Sequence, residues 1–245
     1  MMTRPDTRVP GLLPCTAAVV LLLTGCADGS GPVITESATS SSPEQTPPPP
    51  ADPAAWADER FGAFEEVVFE GTSSERLELP DQVRDAGAMV LDVVYEDGGE
   101  ELMLFTLDAD ERFSEVLLDT FLPITGDDEG SFSGQALSVG EAALLAVEAD
   151  GAWSVTLRPA SSAPELPGAG SGHGVFLYSG PGGDVGVRGT GAEGGLAVQE
   201  VGGQATVPSR AAFLQFEELE GGGSLAPGPS LVHVTHNGDW SLVLP

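Results

Sequence analysis

An internal repeat constrains this chain more than any other feature. Ala143-Leu-Leu-Ala-Val-Glu-Ala-Asp-Gly-Ala-Trp153-Ser-Val-Thr-Leu157 aligns without gaps on Ser230-Leu-Val-His-Val-Thr-His-Asn-Gly-Asp-Trp240-Ser-Leu-Val-Leu244, an offset of 87 residues. Upstream, Val68-Phe69-Glu70-Gly71 followed by Leu77 and Leu79 has a counterpart in Leu177-Tyr178-Ser179-Gly180 followed by Val185 and Val187. Solenoid units run to about 50 residues, so a period this long argues two tandem domains instead of a repeat array.

Each closing segment reads as a hairpin whose turn is Asp150-Gly151 or Asn237-Gly238, because these residues tolerate the φ > 0 that a type I′ turn requires. The apolar runs 88–95, 102–107, 196–201 and 211–216 read as further strands, while helical spacing fits 53–66 and 112–118. Short strands separated by Gly and acidic turns predict an all-β chain with two antiparallel β-sandwiches, jelly-roll or immunoglobulin-like, at 56–159 and 175–245. Between them, 160–174 has the Pro, Ser and Gly content of an exposed connector.

The repeat resembles small β-sandwich modules found in secreted proteins and lipoproteins of actinobacteria. An early strand ending at Gly and a late Asp-Gly-x-Trp segment carry the likeness, at 69–71 and 150–153 and again at 178–180 and 237–240. It spans most of 67–245 and implies no common activity.

The N-terminus sets the address. Arg4 and Arg8 precede an apolar run of about 13 residues, too short for the roughly 20 of a membrane-spanning helix and broken by Pro14. Leu23-Thr24-Gly25-Cys26 then resembles the bacterial lipobox. The resemblance implies that residues 1–25 are a cleaved lipoprotein signal peptide and that Cys26 carries a diacylglyceryl anchor in the cell membrane, with the chain facing outward. Cys15 leaves with the signal, so the mature chain has no thiol for catalysis, for structural zinc or for a disulfide. Residues 26–55, with Ser40-Ser41-Ser42 and Pro47-Pro48-Pro49-Pro50, have little to bury and read as a disordered tether.

Charge excludes further classes. The net charge is −29 and every basic residue is arginine. Such a body repels phosphate backbones and anionic headgroups, which excludes nucleic acid as a partner and leaves membrane contact to the lipid. Of the 38 carboxylates, 25 fall between Asp58 and Asp150, so the acidity belongs mainly to the first copy.

Candidate chemistry is sparse. His173, His233 and His236 are the only histidines; on a strand His233 and His236 face opposite ways, and Ala146 and Ala149 replace them in the first copy. They read as surface or edge residues, not a metal pair. Asp108, Asp110 and Glu111, and Asp127, Asp128 and Glu129 before Gly130, offer hard oxygen ligands for calcium but lack EF-hand spacing and read as solvated turns. Trp153 and Trp240 share a strand face with Val155, Leu157, Leu242 and Leu244 and are expected in the cores. No nucleophile elbow, zinc His pair or phosphate loop occurs, so no catalytic residue, cofactor or metal is assigned. The expected function is a non-enzymatic interaction module for an extracytoplasmic protein, the alternative being a lipoprotein that binds cell-wall carbohydrate, with calcium assistance.

Overall fold

The computed structural model describes residues 52–96, 101–121, 130–191, 195–202, 209–216 and 219–245. The expected signal, Cys26, nearly all of the expected tether and Asp127 to Glu129 lie outside the described residues. Residues 47–245 form one compact unit.

Helix α1 (Pro53–Phe61) begins inside the sequence expected as tether. Asp52 caps it, its carboxylate accepting the Ala54 and Ala55 amides at 3.0 and 3.5 Å, and Pro53 supplies the fixed φ of a first helical residue. Gly62, at φ 85°, ends it.

The first copy contains β1 (Val67–Gly71), β2 (Glu75–Glu78), β3 (Ala88–Glu96), β4 (Glu101–Leu107), β5 (Phe113–Phe121), β6 (Phe132–Val139), β7 (Leu144–Glu148) and β8 (Ala152–Pro159). One helical turn, α2 (Asp81–Arg84), lies between β2 and β3. The second copy contains β9 (Ala169–Ser171), β10 (Gly174–Tyr178), β11 (Gly183–Thr190), β12 (Leu196–Val201), β13 (Ser209–Gln215), β14 (Glu220–Leu225), β15 (Ser230–Thr235) and β16 (Asp239–Val243). The expected strands are therefore present, but 112–118, where helical spacing was an option, is extended in β5.

These strands form four antiparallel sheets: sheet I, β1-β8-β3-β6; sheet II, β2-β7-β4-β5; sheet III, β10-β15-β12-β13; and sheet IV, β9-β16-β11-β14. In each copy the first strand pairs with the eighth, the second with the seventh, the third with the sixth and the fourth with the fifth. That is a long antiparallel ribbon wound over itself, the jelly roll. Strand for strand the two copies share one topology, so the repeat is a duplicated fold.

Two sequence expectations fail on this topology. Asp150-Gly151 and Asn237-Gly238 do not close hairpins, because β7 and β15 lie in sheets II and III while β8 and β16 lie in sheets I and IV. Neither Asp150 nor Asn237 takes the positive φ of a type I′ turn; the chain crosses from one sheet to the other there. The upstream match also shifts: Gly71 corresponds to Gly170, not Gly180. Gly71 opposes Trp153 as Gly170 opposes Trp240, and the indole N–H groups donate to Ser73 and Gly172 carbonyls at 2.9 and 3.0 Å.

Each tryptophan lies across its glycine, and a Cβ added at Gly71 or Gly170 would overlap the six-membered ring. Gly71→Ala is therefore expected to destabilise the protein by about 1 to 3 kcal/mol, the usual cost of overpacking. Urea unfolding followed through tryptophan fluorescence measures it, and an unchanged midpoint would contradict the close approach.

Sheets I and II enclose one core around Leu91, Tyr95, Leu104, Leu145, Trp153 and Leu157. Sheets III and IV enclose another around Val187, Leu196, Val198, Val234 and Trp240. A third buried cluster joins the copies: Ala88, Val90 and Leu137 from the back of sheet I, Val175, Leu177, Val201 and Leu231 from the back of sheet III, and Ala57 and Phe61 from α1. Strands covered on both faces lose the alternation of a half-buried sheet, which is why 88–91 and 230–234 are buried without interruption. Residues 160–174 are not an exposed connector. Ala160, Ala163 and Leu166 are buried, and β9 completes sheet IV.

Candidate functional site

His173 and His233 lie at the seam between the two sandwiches and His236 lies within the second copy, its Nδ1 3.1 Å from the Gly195 carbonyl, so the expected surface histidines are buried or half-buried. His233 on β15 is 6% exposed and His236 just beyond it is 1% exposed. His233 faces the back of sheet III beside Leu231, opposite Val175 and Gln199, and its Nε2 is 3.4 Å from the Gln135 carbonyl of the first copy. His173 packs edge-on against Phe132 with ring centroids 5.2 Å apart, and its Nε2 lies 3.1 Å from Asn237 Oδ1. Burial pushes the His233 imidazole down to about 4, with His173 adding repulsion and the Gln135 contact opposing it. Burial lowers His173 as well, against the Asn237 hydrogen bond and with a further contribution from His236. The net effect favours neutral rings at His233 and His173.

Gln135 on β6 organises the seam. Its amide donates to the His173 carbonyl at 3.1 Å, its side-chain oxygen accepts the Val175 amide at 2.8 Å, and its side-chain nitrogen donates to Asp92 at 2.7 Å. Arg158 closes the row with a 2.5 Å ion pair to Asp92. The seam is thus a polar row, paired except for the buried Arg158 Nε and His173 Nδ1, beside an apolar cluster, an arrangement that holds surfaces together instead of presenting chemistry to solvent.

The described acidic cluster is likewise engaged internally. One Asp108 carboxylate oxygen accepts the Asp110 and Arg112 amides at 2.8 Å each, forming the tight turn from β4 to β5. Arg112 pairs with Asp110, and Arg76 reaches Glu111 at 3.0 Å. Among the described residues no group of three or more His, Cys, Asp or Glu side chains converges as metal ligands would.

Trp153 and Trp240 are 4% and 3% exposed, as their alternation implied, and Tyr95 and Tyr178 are buried beside them. The exposed aromatic surface lies elsewhere. On the outer face of sheet II, Arg76, Ala146, Phe105 and Val116 form one cross-strand row, and Glu78, Leu144, Leu107 and Phe113 form the next. Phe113 is 62% and Val116 49% exposed, and the Phe105 and Phe113 rings sit 6.1 Å apart. Beside Phe105 an open depression of about 190 Å³ runs between β2 and β4, bounded by Arg76, Ala146 and Glu148.

The sequence reading did not single out these residues, although β4 carried the signal. Leu102-Met103-Leu104-Phe105 is apolar on both strand faces, whereas a sandwich core uses one. Leu102 and Leu104 fill the core, leaving Met103 and Phe105 outside it. No protein-family model matches the chain, and no curated protein matches it either. No helix among the described residues is long and apolar enough to cross a membrane.

Proposed function

We propose that this chain is a lipoprotein anchored through Cys26 in the cell membrane, facing outward, whose paired jelly rolls act as a non-enzymatic interaction module for an extracytoplasmic protein. The observation that carries the reading is the outer face of sheet II toward its β5 edge, where exposed Phe113 and Val116 adjoin half-buried Phe105. Contiguous exposed apolar residues with a polar rim characterise contact surfaces. The other side chains with distinctive chemistry are engaged elsewhere: Trp153, Trp240 and the tyrosines in the cores, Trp56 half-buried against the third cluster, His173 and His233 at the seam, His236 within the second copy, and the acids of the β4–β5 turn by arginines and backbone amides.

The carbohydrate alternative loses its support on the same surface. A glycan site combines ring stacking with polar groups on or beside the ring; here Trp153, Trp240, Tyr95 and Tyr178 are buried, half-buried Trp56 is packed edge-on against Phe61, and the exposed rings are phenylalanines. Calcium assistance has no vacant carboxylate set to rest on among the described residues.

Replacing Cys26 removes the thiolate that accepts the lipid. Cys26→Ser is therefore expected to leave the membrane fraction, or to keep its signal peptide, in a detergent phase-partitioning assay. Wild-type protein that incorporates no labelled lipid and partitions like the variant would overturn the anchor.

A further inference from the structure

The duplicated fold is stacked head to tail, which makes one pair of faces informative. By strand order, sheet III of the second copy corresponds to sheet II of the first, and sheet IV corresponds to sheet I. The row Val175, His233, Gln199, Ala211 on sheet III therefore matches Arg76, Ala146, Phe105, Val116 on sheet II, and Leu177, Leu231, Val201 match Glu78, Leu144, Leu107. In the second copy the β10, β15 and β12 part of this face is covered, because Val175, Leu177, Val201 and Leu231 pack on the back of sheet I, while Ala211 on the edge strand β13 stays exposed. In the first copy the same face carries Phe113 and Val116 exposed.

We propose that the outer face of sheet II is a docking surface for a second protein, one that presents an apolar strip bordered by lysine or arginine. The proposal rests on the interaction-module reading above and names its partner class. Three observations choose the occupant. The fold already uses the β10, β15 and β12 part of the equivalent face to bind a β-sheet surface in cis. The patch is bordered by exposed Glu75, Glu78, Asp119 and Glu148, while Arg76 and Arg112 are held by Glu111, Asp108 and Asp110. An acidic border around an apolar centre speeds and selects a cationic partner.

A second copy of this chain fits poorly. The face it would offer by continuing the stack is the back of sheet IV. Val93 opposes Val155 as Val187 opposes Leu242, so the position of Val90 is taken there by Asp184 and that of Ala88 by Gly182. A carboxylate would replace the apolar contact that Val90 makes in cis, and each added chain brings a charge of −29.

The test uses the full chain and three extended peptides of equal length alternating Leu with Lys, Leu with Glu, and Ser with Lys, read by fluorescence anisotropy. The Leu/Lys peptide is expected to bind at least ten-fold more tightly than either other peptide. Phe113→Ser combined with Val116→Ser should weaken it at least ten-fold without moving the melting temperature. Phe216→Ser, which alters an exposed ring on the opposite copy, should leave it unchanged. Equal binding of the Ser/Lys and Leu/Lys peptides, or binding indifferent to the double substitution, would overturn the proposal.

Photo-crosslinking in cells from benzoylphenylalanine placed at Val116 or at Phe216 separates the larger reading from the smaller. A protein adduct from position 116 whose crosslinked surface is basic supports both. Protein adducts from position 216 alone keep the interaction module but overturn this face. Adducts from 116 to a second copy of the chain, or no adduct there, overturn the face as well, and adducts to glycan alone overturn both readings.

Discussion

Trp240→Ala is expected to cost the protein about 3 to 5 kcal/mol, a large part of the stability of an ordinary domain. The indole is 3% exposed, meets Phe176 edge-on with centroids 5.6 Å apart, and lies over Gly170. Its N–H donates to the Gly172 carbonyl at 3.0 Å, so truncation leaves that acceptor without its partner as well as a cavity. The damage reaches the first copy. Sheet III supplies Val175, Leu177, Val201 and Leu231 to the seam, so loss of the second sandwich exposes Ala88, Val90 and Leu137. Chemical denaturation monitored through Trp56 and Trp153, the tryptophans left in the variant, measures that transmission: an earlier midpoint for the first copy is expected. A melting temperature within a few degrees of wild type would contradict the core assignment of Trp240.

The same contacts separate what was legible in the sequence from what was not. Local signals located the strands: 196–201 was read with the bounds of β12, and 88–95 and 102–107 differ from β3 and β4 by one residue. Partner choice escaped. Asp150-Gly151 and Asn237-Gly238 carry local turn chemistry, but whether the flanking strands pair depends on β2 and β10, which claim β7 and β15 from about 50 to 70 residues away. The upstream match went to Gly180 because β9 is short and made of Ala, Gly and Ser, with none of the apolar residues that mark β1.

The candidate surface was hidden for a related reason. Exposure of Phe113 follows from which face of β5 the core uses, and two register shifts against β4 decide that, placing both Leu117 and Leu118 inside. The histidines were misjudged because sequence periodicity reports which face a side chain takes, not whether a second sandwich covers that face. The clue lay in uninterrupted apolar runs, Ala88 to Leu91 and Leu231 to Val234 around His233, which a one-sided sheet does not require.

Acid is expected to weaken the wild-type protein relative to His233→Gln by about 2 to 3 kcal/mol between pH 7.5 and 4.5. The His233 imidazole is lowered from 6.5 to about 4 by burial, so the folded state binds its proton less readily than the unfolded chain. Its contribution is fully present above pH 6.5 and is lost progressively as pH falls from 6.5 toward 4; each unit of difference is worth about 1.4 kcal/mol. His173, lowered in the same direction, adds to the loss. The charged groups around the seam are His173 and His236 from the second copy and the Asp92–Arg158 pair from sheet I, joined to His233 through Gln135. Arg158 supplies no relief for a second cation, and Asp92 is already paired. Acidification also discharges carboxylates on a chain of net charge −29, which eases self-repulsion and acts in the opposite sense. Glu115, raised by burial against its bonds to Val139 and Ser138, contributes with that same sign. These background effects are common to both proteins, so the readout is the difference between wild type and variant in denaturant unfolding free energy at each pH. Hydrogen exchange locates it: β6 and β10, which meet through Gln135, should lose protection before β4 and β12 in the wild type, and less so in the variant. A difference that stays constant from pH 7.5 to 4.5 would show that His233 titrates alike in the folded and unfolded chains, and the seam would then be insensitive to its charge.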